Sequence, residues 1–234
     1  HALHNINSEV AWRLILAEGE RIRRHTRLYA SIFAFQFAPD GCTKIGYAAY
    51  FLKKGLPYLA GLLSDNRRFV RDAVDEYQLT PAEQERLRVV YQPCRLLAEH
   101  DKAVGARRLQ RRRDELRCGS ATFGRRPQIL WAGRLDAEKR IELFFDVARR
   151  CSFADFRVYG EVVLSDGQKL PQLPNLSYEG PFTSPLAWLQ RHDFDAFMFT
   201  SRWEGMPNIL IEVGALGIPV IAPTVGGVGE LINE

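Results

Sequence analysis

Short apolar runs alternate with amphipathic stretches through most of the chain. In the second half, the runs that predict strands are 129–132, 156–159, 176–178, 196–199 and 219–222. The stretches that predict helices are 138–150, 185–191 and a segment that begins at Pro207. Because strands that alternate with helices favour right-handed crossover units, this half predicts a parallel, doubly wound sheet of the α/β class.

The first half shows the same alternation in shorter pieces. The expected strands are 31–38, 58–63 and 87–91. Ser8 suits the N-cap of a helix, and Thr80, Pro81 and Glu83 have the sequence of a capping box with proline at the first helical position. These elements predict that another α/β segment precedes the regular alternation of the second half.

Candidate chemistry lies where the predicted strand 196–199 ends. Gly205 interrupts the apolar pattern and Pro207 suits a helix start, so we expect a strand, a tight loop and a helix. Such places bind ligands in open α/β sheets, because backbone N–H groups and the positive helix end point toward the loop. Glu204 lies in the loop, and Glu212 lies in the helix with a side chain that leans back toward the loop. Two carboxylates there suit a ligand that carries both phosphates and hydroxyls.

Further motifs accompany this pair of carboxylates. They are Trp-Ala-Gly-Arg-Leu-Asp-Ala-Glu-Lys at 131–139, Gly-Ile-Pro-Val-Ile-Ala at 217–222 and Gly-Gly-Val-Gly-Glu at 226–230. In this order and spacing, the motifs resemble the C-terminal domain of family 4, or group 1, glycosyltransferases with the GT-B fold. The resemblance covers residues 128–234.

The resemblance implies a GT-B-like α/β fold, with two Rossmann-like domains that contain parallel sheets. The expected boundaries are 1–93 for an N-terminal, acceptor-side domain, 94–126 for a basic linker and 127–234 for a C-terminal domain that binds the nucleotide sugar. The chain is too short for two complete domains of this kind. We therefore expect it to be incomplete at both ends, with the N-terminal domain only partly present.

The resemblance also implies two catalytic residues. Glu204 is expected to contact hydroxyls of the donor sugar and to support positive charge at its anomeric carbon. His4 is expected to face the donor from the N-terminal domain, with His1 as the competing histidine and a structural role as the alternative. Glu212 is expected to accept hydrogen bonds from the ribose hydroxyls, and its alternative role is that of an ordinary acidic residue near a helix start.

Gly133, Arg134 and Lys139 are expected to bind the donor diphosphate. An arginine and a lysine at the end of one strand can neutralise two phosphates without a metal ion, so we expect no cofactor and no metal. The alternative for the two cations is a surface ion pair with Asp136 or Glu138. The other residues assigned to the donor sugar and nucleotide are Gly160, Phe182, Gly205, Met206, Pro207 and Asn208. The Phe182 ring is expected either to stack on the base or to belong to the core.

The composition is that of an ordinary globular protein. The 234 residues are 46% hydrophobic and 26% charged, and no apolar run reaches the roughly 20 residues that a membrane-spanning helix needs. The four cysteines are far apart and contain no Cys-x-x-Cys pair, which fits thiols in a reducing compartment. The expected location is the cytoplasm, with the inner face of the membrane as the alternative position.

Arginines are concentrated between residues 95 and 126. They include Arg107, Arg108, Arg111, Arg112, Arg113 and Arg117. The run fits either a solvated helix and linker or a basic patch that contacts an anionic membrane surface with a lipid-linked acceptor. Binding to nucleic acid is disfavoured, because the net charge is only +4 and no nucleic-acid module accompanies the run.

The resemblance as a whole implies an enzyme. The expected reaction is transfer of a sugar from a nucleotide-diphosphate sugar to an acceptor hydroxyl, with retention at the anomeric carbon, in the synthesis of cell-surface polysaccharide or glycolipid. The expected partners are the nucleotide sugar and a sugar or lipid-linked acceptor. The alternatives are another GT-B reaction, such as nucleotide-sugar epimerisation, and a non-catalytic subunit that binds the donor.

Overall fold

The computed structural model describes residues 1–6, 8–93, 99–117, 125–161, 171–181, 189 and 193–232. Contacts between residues divide the chain into two compact units. The first contains His1–Pro93, Trp203–Pro207 and Val225–Glu234, and the second contains Cys94–Arg202 and Asn208–Thr224. The short segments 203–207 and 225–234 thus group with the first unit, whereas the sequence analysis assigned them to the C-terminal domain. The domain boundaries themselves remain a prediction.

The first unit is built on a parallel sheet. Its strands are β1 (Ala2–Ile6), β2 (Arg27–Ser31), β5 (Gly61–Ser64) and β6 (Leu87–Val89), which lie side by side in this order. A short antiparallel pair, β3 (Gln36–Phe37) and β4 (Lys44–Ile45), lies apart from that sheet. The helical elements are α1 (Glu9–Arg23), a π-helix (Ala48–Leu52), α2 (Lys53–Gly55), a 3-10 turn (Leu56–Tyr58), α3 (Arg67–Tyr77), α4 (Pro81–Gln84) and α8 (Val228–Leu231).

Local capping signals in the first unit are confirmed. The Ser8 hydroxyl accepts a hydrogen bond from the Ala11 amide at 3.2 Å and starts α1. Both bonds of the capping box form between Thr80 and Glu83, with Pro81 at the start of α4. These signals act within one helical turn, which is why the local sequence suffices to predict them.

The predicted strand 31–38 is wrong. The sheet strand β2 ends at Ser31, where that segment was expected to begin, and within the segment Gln36–Phe37 pairs with β4 instead. The apolar residues that follow pack differently: the Phe35 ring lies 5.2 Å from the Phe69 ring of α3. An apolar run that is buried against a helix resembles a buried strand in sequence.

The second unit contains the predicted parallel sheet. Its strands are β7 (Gln128–Ala132), β8 (Asp155–Tyr159), β9 (Leu176–Gly180), β10 (Ala196–Met198) and β11 (Val220–Ile221), in the order β11-β10-β7-β8-β9. Every pair of neighbours is parallel. The helical elements are α5 (Glu99–Arg117), a 3-10 turn (Ala137–Lys139), α6 (Ile141–Arg150) and α7 (Asn208–Ala215). The loops after β7, β8 and β10 therefore lie at one edge of the sheet, where parallel sheets bind ligands.

Arginines of α5 bind to other parts of the second unit. The Arg111 guanidinium donates to Asp193 at 2.9 Å, and Arg112 donates to the buried Asp195 at 3.0 Å. Arg108 donates to the Leu189 carbonyl at 3.1 Å, and its burial lowers the pKa of its guanidinium. Hydrogen bonds from Arg111 hold the pKa of Asp193 below its ordinary value. This part of the predicted basic linker is thus a helix that is fixed to the second unit by ion pairs.

Candidate functional site

Two glycines bring the loops after β7 and β8 together. The Gly133 amide donates to the Tyr159 carbonyl at 3.1 Å, and the next bond, from Leu135 to Glu161, is 3.2 Å long. A Cβ on Gly160 would lie 1.8 Å from the Gly133 carbonyl oxygen, so a side chain cannot be accommodated there. The sequence analysis assigned both glycines to the donor site, and the structure places them side by side at the carboxyl edge of the sheet.

The Arg134 side chain is exposed and forms the ion pairs that the sequence analysis named as its alternative. Nη2 lies 2.8 Å from Glu138 Oε1 and 3.3 Å from Asp136 Oδ2. Both contacts use a single nitrogen of the guanidinium, whose side chain is 65% exposed. The other guanidinium donors remain for a ligand, since the described residues offer them no acceptor. A phosphate role for Arg134 stays a prediction.

Lys139 lies in the same loop but does not start a helix. The predicted helix start at Glu138 is wrong, because Arg140 has a φ of 50° and separates the 3-10 turn from α6, which begins at Ile141. The Lys139 side chain is 18% exposed, and its Nζ lies 3.8 Å from Glu138 Oε1. The loop therefore holds a largely buried lysine side chain five residues after Arg134.

The Thr200 hydroxyl connects this loop to the loop after β10. Thr200 is buried, accepts a hydrogen bond from Trp131 Nε1 at 2.9 Å and donates to the Lys139 carbonyl oxygen at 2.5 Å. The Arg202 amide adds a bond to the Glu138 carbonyl oxygen at 2.8 Å. Sequence reasoning missed Thr200. The available signal was a small polar residue at the end of an apolar strand, opposite a tryptophan whose N–H needs an acceptor.

Helix α7 follows the loop after β10 directly. It begins at Asn208, one residue later than the predicted start at Pro207, and Leu210 and Val213 anchor it in the core. Glu212 lies in its second turn and is half-buried. Asn208 is exposed at the first position of the helix. The predicted strand, loop and helix are confirmed, whereas the roles of Asn208 and Glu212 stay predictions.

The loop that carries Glu204 packs against the second glycine motif within the first unit. A Cβ on Gly226, whose φ is 49°, would lie 1.8 Å from the Glu204 carbonyl oxygen. The Gly227 amide donates to the Gly205 carbonyl oxygen at 2.9 Å, and Met206 is buried. The close approach that these glycines permit is therefore to the backbone of the Glu204 loop, and it fixes the course of residues 203–207.

His4 lies inside β1, and its Nε2 is 2.8 Å from the Ser31 hydroxyl of β2. The Gly205 backbone instead contacts Phe33 and Asp65, since a Cβ there would lie 2.7 Å from Phe33 Cβ and 2.6 Å from Asp65 Oδ2. A catalytic role for His4 stays a prediction, and Asp65 is a residue that sequence reasoning did not select.

Glu230, the last residue of the motif at 226–230, contacts the start of α3. Its Oε1 accepts from the Arg67 and Arg68 amides at 2.7 and 3.0 Å and so caps that helix. Its Oε2 accepts from the Tyr91 hydroxyl, a bond that raises the pKa of Tyr91. Phe182 lies outside the described residues.

An Asp-x-Asp triplet, which the expectation of metal independence overlooked, ends just before β10. Asp193 binds Arg111, and the Asp195 carboxylate binds Arg112, Arg125 and the Gln128 amide. The triplet lies at the amino end of its strand, the opposite edge from the glycine loops. In the part of the chain that the structure describes, no group of three or more His, Cys, Asp or Glu could hold a metal ion.

A groove of about 480 Å³ lies elsewhere on the first unit. Its lining includes the aromatic rings of Tyr47, Tyr50 and Phe51 together with the charged side chains of Arg13 and Lys54. None of the predicted site residues lines it. Over the described ranges, no helix combines the length and the apolar character needed to cross a membrane.

Residues 126–234 match the family model described as glycosyl transferases group 1. This segment is therefore similar to group 1 glycosyltransferases, and the chain has the GT-B-like α/β fold that the resemblance predicted. In its fold the whole chain is similar to Anabaena HepE, solved with UDP and glucose, at 12% identity and a TM-score of 0.67. It is also similar to a glycosyltransferase from Rickettsia africae, at 14% identity and a TM-score of 0.65.

The matches differ in how much of each protein they cover. All of this chain aligns with 61% of the HepE chain and 60% of the Rickettsia chain, so it spans about three fifths of their length. The Vi polysaccharide biosynthesis protein VipC/TviE of Salmonella typhi is 45% identical over 47 residues, which are 20% of this chain and 8% of that protein. The structural likenesses establish the fold, and the family match covers the second half of the chain.

Replacement of Thr200 by valine should destabilise the second unit. Valine keeps the shape of the side chain but removes both hydrogen bonds, which leaves the buried Trp131 N–H without an acceptor. We expect a loss of about 1–3 kcal/mol in the free energy of unfolding, measured by chemical denaturation. Thr200→Ser keeps the hydroxyl and serves as the control. A valine variant as stable as the serine variant would contradict the bridging role.

Proposed function

We propose that the protein is a glycosyltransferase that moves a sugar from a nucleotide-diphosphate sugar to an acceptor hydroxyl, with retention at the anomeric carbon. The observation that carries the proposal is the loop after β7, in which Gly133, Arg134 and Lys139 lie at the carboxyl edge of a parallel sheet. The group 1 family match and the UDP-containing structures of similar fold support it.

The chemistry to be catalysed is departure of a nucleoside diphosphate. Negative charge grows on the phosphate oxygen as its bond to the anomeric carbon breaks, and fixed cations that lie close to that oxygen stabilise it. Arg134 offers the guanidinium donors that its ion pairs do not use, and Lys139 offers a charge that is partly shielded from water. The start of α7 adds backbone N–H groups and the positive end of the helix dipole.

The two glutamates would contact the other two parts of the donor, the ribose and the sugar. Glu212, on the second turn of α7, would accept hydrogen bonds from the ribose hydroxyls. Glu204, on a loop whose backbone is fixed by Gly226 and Gly227, would accept hydrogen bonds from the donor sugar and stabilise positive charge at its anomeric carbon.

The acceptor would be a sugar or a lipid-linked saccharide, as the match to a polysaccharide biosynthesis protein suggests. Contact with an anionic membrane would use the exposed Arg107 and Arg113 of α5.

Transfer should proceed without a divalent metal. We expect the complete natural polypeptide to transfer a labelled sugar from one member of a panel of UDP-, GDP- and ADP-hexoses, and to do so equally well in excess EDTA. The physical reason is that Arg134 and Lys139 already supply the positive charge at the diphosphate. Product analysis separates transfer from epimerisation of the donor. Activity that is lost on chelation and restored by Mg²⁺ or Mn²⁺ would refute the metal-free mechanism.

The two glutamates should differ in their kinetic effects. Glu204→Gln should lower turnover by about 10²- to 10³-fold with little change in nucleotide affinity, because it weakens a contact to the reacting sugar. Glu212→Gln should weaken nucleotide binding by roughly tenfold or more, because it removes charge from an acceptor of two ribose hydroxyls. Turnover numbers and calorimetric affinities for both variants check this. An exchange of the two phenotypes would reverse the assignment.

A further inference from the structure

Asp65 is a buried carboxylate with few partners. It follows β5 directly, at the carboxyl edge of the first unit's sheet, and it is 3% exposed. The Asn66 side-chain amide donates to its Oδ1 at 2.8 Å. Among the residues that the structure describes, no other hydrogen-bond donor and no cationic side chain contacts the carboxylate, so Oδ2 has no protein partner there.

Such an arrangement is unusual for a group with only a structural role. Taking a carboxylate out of water without a paired cation is unfavourable, and buried carboxylates usually accept several hydrogen bonds. The positive end of α3 lies next in sequence. That helix start does not need Asp65, however, because Asn66 Oδ1 accepts from the Phe69 amide at 2.7 Å and Glu230 accepts from the two amides before it, those of Arg67 and Arg68.

The carboxylate lies directly beneath the loop that carries Glu204. A Cβ on Gly205 would lie 2.6 Å from Asp65 Oδ2 and 2.7 Å from Oδ1, so only a glycine at this position leaves room for the acid. Asp65, Gly205 and the preceding Glu204 all belong to the first unit. Asp65, after β5, and Glu204, in the loop, thus lie on neighbouring backbone segments.

We propose that Asp65 binds a saccharide hydroxyl through Oδ2 and so is a further carboxylate of the sugar site. The proposal rests on the proposed glycosyltransferase function. A carboxylate only accepts hydrogen bonds, which fits a hydroxyl and repels a phosphate. A metal ion would need more ligands than this one acid, and the described residues offer no group of three. The hydroxyl belongs either to the donor sugar or to the acceptor, and the two sources are distinguishable by experiment.

Asp65→Asn tests the proposal in the complete natural polypeptide. Asparagine keeps the size of the side chain and an oxygen for the Asn66 amide but removes the charge. We expect kcat/KM for transfer to fall by about ten- to a hundredfold, since charge-assisted hydrogen bonds are roughly twice as strong as neutral ones. UDP affinity should be unchanged, and the melting temperature should be equal or higher because a poorly paired buried charge is gone.

Two kinetic measurements identify the source of the hydroxyl. If it belongs to the acceptor, the KM for the acceptor rises and hydrolysis of the donor in the absence of acceptor is unchanged. If it belongs to the donor sugar, donor hydrolysis falls in parallel with transfer. Either result supports the proposal.

The matched control is Asp75→Asn, an exposed acid on α3, which should leave transfer and stability as they are. Unchanged transfer by Asp65→Asn in an active enzyme would overturn the proposal and leave the glycosyltransferase function intact. A joint loss of stability, UDP affinity and transfer would also overturn it, because it would reveal a structural acid. A wild-type protein that binds and transfers no nucleotide sugar would refute the proposed function itself, and this proposal with it.

Discussion

The candidate site of the second unit depends on one buried hydroxyl. Thr200 accepts from the indole of Trp131 on β7 and donates to the backbone of Lys139, so the loop with the candidate phosphate-binding cations is fixed to the loop that leads to α7. A cation stabilises a developing charge well only if it is already in position. Gly160 completes the arrangement, because its lack of a side chain lets its backbone lie against the Gly133 carbonyl oxygen of the neighbouring loop.

Charges elsewhere in the second unit act on the fold. Arg111 and Arg112 of α5 neutralise Asp193 and the buried Asp195, and Arg125 adds a second cation at the latter. A buried carboxylate with several partners holds the amino end of β10. The Asp65 carboxylate in the first unit is the contrasting case, because it is buried to a similar degree and has one donor among the described residues.

What the sequence could predict depended on the range of the interaction. The caps at Ser8 and Thr80 and the strand, loop and helix around Gly205 are local, and the ordered motifs led to the correct fold class. Arg111 and its partner Asp193 are 82 residues apart in sequence, and His4 and its partner Ser31 are 27 residues apart. Neither pairing follows from the local sequence pattern. The misplaced strand at 31–38 has the same cause, since Phe35 is buried by a helix that comes later in the chain.

The central claim is that Arg134 and Lys139 hold a diphosphate. The most direct measurement is calorimetric affinity for UDP and for UMP, or for the corresponding pair of whichever base binds, in the wild type and in Lys139→Ala. The account predicts that the wild type binds the diphosphate more tightly, and that the variant loses about 1.5–3 kcal/mol for the diphosphate and much less for the monophosphate. Equal losses for both nucleotides, or no loss for either, would contradict it.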